Sequence, residues 1–142
     1  MRYEELIRQV EQLAAGGLHR AGAERALAAT LTTLGRCLPE RLAADLADQL
    51  PLGAKRYLSG PPSGRQEALS LTELLEEIAE LEGVSSSEAL DHARAVIDAL
   101  RQAVTGHELQ RVRAELPEQL EPLFAPPAAA GWPESHRRRA HP

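Results

Sequence analysis

Apolar side chains recur along this chain at helical intervals. Leu6, Val10 and Leu13 make one stripe, and Ala23, Leu27, Thr30, Leu31, Leu34 and Leu38 make a second. Steps of three and four place each set on one face of an α-helix. Leu74, Ile78 and Leu81, then Ala89, Ala93, Val96, Ile97, Leu100 and Val104, repeat the arrangement. No stretch alternates convincingly as a strand would, so the pattern predicts an all-α protein.

The two sets also match position by position. Leu50-Pro51 closes a helical run near the middle and Leu116-Pro117 closes another near the end, 66 residues later. At that spacing Leu34 falls on Leu100, Leu31 on Ile97, Ala29 on Ala95 and Ala23 on Ala89. Nearer the N-terminus the spacing is 68, placing Leu6-Ile7 on Leu74-Leu75, Val10 on Ile78 and Leu13 on Leu81. The two-residue difference falls in Ala14-Ala15-Gly16-Gly17, where a turn absorbs it.

A repeat of this kind predicts a helical bundle of two three-to-four-helix units with pseudo-twofold packing. The units are residues 1–58 and 69–124, joined by a Ser/Gly/Pro linker at 59–68 and followed by an Ala/Pro/Arg tail, 125–142, expected to be disordered. Each unit is small enough to be marginal alone, so the two are expected to share one core as a single domain.

Punctuation agrees with the stripes. Ser70 with Glu73, Ser85 with Glu88 and Thr105 with Glu108 each have the spacing of a capping box, marking three helix starts in the second unit. Gly16-Gly17 and Gly83 are expected to end the first helix of each unit, and Pro51 and Pro117 the third. Pro39 suits the first position of its helix, where a missing N–H costs nothing. A short fourth helix or turn is expected over Leu52 to Leu58 and over Glu118 to Phe124, the latter weakened by Pro122.

Composition narrows the interior. Aromatics make up 3% of the chain against 43% hydrophobic residues, so Leu, Ala, Val and Ile must build the core through close helix contacts. Cys37, the single cysteine, excludes an internal disulfide and suits a reducing cytoplasm; it reads as a small packing residue. The N-terminal segment is amphipathic and charged, with no apolar run for a signal peptide or membrane span, so a soluble, cytoplasmic protein is expected.

Charge separates the units. Residues 1–58 carry +1 and residues 67–124 carry −9, within a total of −5. So acidic a second half repels phosphate backbones and disfavours nucleic-acid binding by the folded body.

Chemistry-bearing motifs are sparse. The chain has no phosphate loop, zincin pair or nucleophile elbow, and its histidines, at positions 19, 92, 107, 136 and 141, never pair at a spacing of three or four. No catalytic, cofactor or metal-binding residue is therefore expected. Asp45 and Asp48 resemble an acid–base pair, but their setting reads as a solvated helix face. His92, whose counterpart at a spacing of 66 is Ala26, lies at the edge of the apolar stripe, where it is either a structural residue held by a carbonyl or carboxylate or a group that senses pH or binds a ligand. Glu73, Glu76, Glu77 and Glu80, with His92, form the candidate partner surface. In the tail, Trp132 followed by Arg137, Arg138 and Arg139 forms a candidate docking motif for an acidic surface of the same molecule or a neighbour.

Leu34-Gly35-Arg36-Cys37-Leu38, the run Ala44 to Pro51, Glu82-Gly83-Val84, His92 to Val96 and Val112 to Pro117 together resemble the family catalogued as domain of unknown function 2267. The resemblance covers about Tyr3 to Phe124. It implies an all-helical bacterial cytoplasmic protein without an established activity. Beside it, the residues favour a non-enzymatic protein-interaction or adaptor module using the acidic second unit. The partner would be another protein or a second copy of the chain. The alternatives are a small-molecule or lipid-binding bundle with a cavity between the units and, last, a regulator touching nucleic acid through the arginine tail.

Overall fold

The computed structural model describes residues 1–58 and 69–125. The expected linker and the tail residues Trp132 and Arg137 to Arg139 lie outside the described residues. Among those described, the chain is all-α: α1 Tyr3–Leu13, α2 Arg20–Cys37, α3 Glu40–Gln49, α4 Leu52–Lys55, α5 Leu71–Glu82, α6 Ser86–Ala103 and α7 Gly106–Glu115, closed by a 3₁₀ segment, Glu118–Phe124. No helix among them is long and apolar enough to cross a membrane.

Local chemistry sets most boundaries. Ser70 accepts the N–H of Glu73 while Glu73 accepts that of Ser70, and Ser85 and Glu88 do the same at the start of α6. Each box satisfies two amides that the first helical turn cannot. Gly83 ends α5 in the left-handed conformation at φ 75°, which lets its N–H return to the carbonyl of Ala79. Helices α3 and α7 stop one residue before the two Leu-Pro pairs, at Gln49 and Glu115, because the residue before proline is pushed out of the helical region.

Two expectations, at Pro39 and at Thr105, need correction. Pro39 stands at the N-cap of α3 rather than at its first helical position, with its carbonyl accepting from Ala43. The short fourth element expected in each unit is present, as a single helical turn, Leu52–Lys55, and as a segment that is 3₁₀ because Pro122 lies inside it and cannot donate an α-helical bond. Thr105 does cap Glu108, but the Glu108 side chain turns inward instead of closing the box. The Thr105 N–H donates to Gln49 Oε1 at 2.9 Å instead.

Long α2 and α6 touch at the centre of the bundle; α1 packs on α2 and α6, and α5 on α6 and α2. At one end α3 packs on α7, while α4 meets α1 and α3 and the 3₁₀ segment lies along α6. One hydrophobic cluster runs through all of these elements. Ala23, Ala26, Ala89, Ala93 and Ala99 in its middle are fully buried. Such small side chains let helix axes approach closely enough for Leu31, Ile97 and Leu100 to interlock without aromatic filler. Gly53 has a similar role, since a Cβ there would sit 2.7 Å from the ring of Tyr3.

Candidate functional site

Helix α5 divides its residues sharply. Leu74, Leu75, Ile78 and Ala79 are buried, whereas Glu73, Glu76, Glu80 and Leu81 face solvent. Glu76 and Glu80, four residues apart on the exposed side, are like charges with no cationic partner among the described residues. That arrangement costs a few tenths of a kcal/mol (~0.2–0.5) rather than stabilising the helix. Leu81 beside them is 52% exposed. Glu77 differs: it is half-buried and paired with Arg36 of α2, so it belongs to the α2–α5 contact.

His92 is not on this surface. It is buried, and its Nδ1 lies 2.6 Å from Oε1 of Glu82, the last residue of α5, whose side chain is 2% exposed. The hydrogen bond to the Glu82 carboxylate raises the His92 pKa against the opposing effect of burial, and the charges of Glu82, Asp91 and Glu88 act in the same direction. The other Glu82 oxygen, Oε2, is buried without a hydrogen-bond partner among the described residues. Neighbouring Asp91 accepts the backbone N–H of Ala15 at 2.7 Å, joining the α1–α2 turn to α6. The residues that precede Glu82 and His92 by 68 and 66 are Ala14 and Ala26, both buried.

Sequence reasoning singled out His92 and passed over Glu82. The signal was available: at a spacing of 68 an apolar Ala14 is replaced by a carboxylate, beside the Ala26-to-His92 replacement. Two departures at neighbouring places in a repeat suggest a pair.

A second polar network bridges α3 and α7. Arg111 donates to Asp45 at 3.2 Å and to Glu108 at 3.0 Å, and Gln49 Nε2 donates to Glu108 at 3.3 Å. Asp45 is therefore committed to an arginine, while Asp48 points to solvent. Beside this network an open groove of about 490 Å³ is lined by His107, Gln110, Arg111, Arg113 and Glu121. Both of its arginines are held by carboxylates, Arg113 by Glu121 at 2.7 Å. Cys37 is buried. Among the described residues no group of three or more His, Cys, Asp or Glu is placed to hold a metal ion.

No curated protein matches the chain. The family model described as "Uncharacterized conserved protein (DUF2267)" matches residues 3–123, which span every described helix and nearly all of the closing 3₁₀ segment, and the chain belongs to that family.

Proposed function

We propose that this protein is a non-enzymatic adaptor: a pseudo-twofold pair of helical units whose acidic second unit binds a basic protein segment. The carrying observation is the solvent side of α5, where Glu76 and Glu80 stand exposed four residues apart and Leu81, next to Glu80 in sequence, is 52% exposed. An exposed leucine next to two like charges that have no cationic partner among the described residues adds little to stability by itself. A partner segment bearing Arg or Lys around one apolar anchor complements it in charge and shape.

Helix boundaries support the paired-unit part of this reading. Arg20–Cys37 and Ser86–Ala103 both hold 18 residues and begin 66 positions apart, as do the ten-residue helices starting at Glu40 and Gly106. The contacts are reciprocal, α1 meeting α6 where α5 meets α2. Asp45 touches Arg111, its own counterpart 66 residues on, as expected for residues beside a twofold axis.

The test is a tagged full-length chain recovered from native cells beside its E76K/E80K variant. The expected result is a protein bound by the wild type and lost from the variant, with both melting at the same temperature. Recovery of the same proteins by both, or of none by either, overturns the adaptor reading.

A further inference from the structure

The α5–α6 corner carries a feature that the docking face does not use. Glu82 sits at the C-terminal end of α5, where the helix dipole disfavours negative charge, and it is buried. One of its oxygens is supported by His92 and the other by no described group. The charged groups acting on His92 are Glu82 of α5 and Glu88 and Asp91 of α6, all acidic. From the α1–α2 turn comes the Ala15 backbone N–H, already held by Asp91, beside the apolar Ala14. With His92 protonated, the imidazolium balances a buried carboxylate. Without that proton the neutral ring can still donate to one Glu82 oxygen, but the acidic groups acting on the corner, Glu82, Glu88 and Asp91, lose the cation that balanced them, and Glu82 is left as a buried charge.

We propose that this corner is a proton-operated latch. Protonated His92 holds the end of α5, the start of α6 and the α1–α2 turn together, and loss of its proton releases them while the rest of the bundle stays folded. Local opening of this kind needs less free energy than global unfolding, because the α3–α7 contact does not pass through the corner. The sign follows from the histidine. Its proton is held more tightly in the folded state than in an unfolded chain, so the latch is fully closed below the ordinary histidine pKa of about 6.5. It opens as pH rises through the elevated folded value. The remaining described histidines, His19 and His107, are exposed and take no part.

Amide hydrogen exchange of the full-length chain from pH 6 to 9, corrected for intrinsic rates, tests the latch. Peptides covering Ala14 to Gly17 and Gly83 to Asp91 are expected to lose at least tenfold in protection relative to α3 and α7 as pH rises, and His92→Gln is expected to abolish that relative change. Constant relative protection, or a pH response retained in H92Q, overturns the proposal. Should H92Q fail to fold, NMR titration of the wild type decides. A His92 ring titrating above the exposed His19 and His107, with the Ala15 amide shifting in step, supports the latch; titration at or below them, or an unmoved Ala15 amide, overturns it.

Discussion

The first and second halves of the chain place helices of nearly the same length at fixed offsets, yet they fill one corner with different chemistry. Where α1 ends and α2 begins, Ala14 and Ala26 pack as small apolar groups. Where α5 ends and α6 begins, Glu82 and His92 occupy the corresponding positions as a buried pair. Helix capping follows the same division: α5, α6 and α7 start on Ser70, Ser85 and Thr105, whose side chains accept a backbone N–H. Helices α1, α2 and α3 start on Arg2, His19 and Pro39, which make no such bond. Directional polar contacts occur in both halves, since Tyr3 donates to Glu24 at 2.9 Å and Arg20 to Glu4 at 2.8 Å across α1 and α2, but side-chain caps and a buried polar pair are found in the second. Buried ion pairs seldom add net stability over well-packed apolar residues. Among the described residues a pair buried on both sides occurs in the second half only, at Glu82 and His92.

Breaking the pair should have the largest effect. His92→Ala leaves the Glu82 carboxylate buried without a cation and is expected to cost about 3–5 kcal/mol at pH 6, below the ordinary histidine pKa, in urea unfolding. The double variant E82A/H92A, which restores the alanine pattern of the first half, should cost less than the sum of the single variants by about 0.5–3 kcal/mol. Additive costs would mean that the pair is not what distinguishes the halves.

Matched core truncations test the likeness instead of the difference. Leu31→Ala and Ile97→Ala, 66 residues apart and both essentially fully buried, should each cost about 2–5 kcal/mol and agree within about 1 kcal/mol. A large disparity would mean that the two halves do not share one core on equal terms.

The caps give the smallest effect. Ser85→Ala removes the side chain that receives the Glu88 N–H and should cost about 1 kcal/mol. His19→Ala, at the matching start of α2, should stay within about 0.5 kcal/mol of wild type. Equal losses by denaturation would contradict the division between a capped and an uncapped half.

Much of this was legible in the chain. The apolar stripes located the long helices because 3.6-residue periodicity survives any packing arrangement, and the Leu-Pro pairs located the ends of α3 and α7 because proline restricts its predecessor locally. The box at Thr105 was misread because the spacing to Glu108 was right while the Glu108 side chain had a better partner. Arg111 and Gln49 draw it inward, and Gln49 comes from a helix more than fifty residues away. Asp45 was read as a solvated carboxylate for the same reason, since its match with Arg111 in the repeat gave no hint that the two would touch.

The sequence by itself determined the helices, most of their ends, the 66-residue offset and the uneven charge, all of which depend on neighbours within a few positions or on composition. Tertiary structure alone decided which polar groups became buried pairs. It withdrew His92 from the surface into contact with Glu82, tied Glu77 to Arg36 and left Glu76, Glu80 and Leu81 in solvent. Periodicity says which side of a helix is apolar, but a residue at the edge of the stripe is buried or exposed according to how closely the next helix approaches.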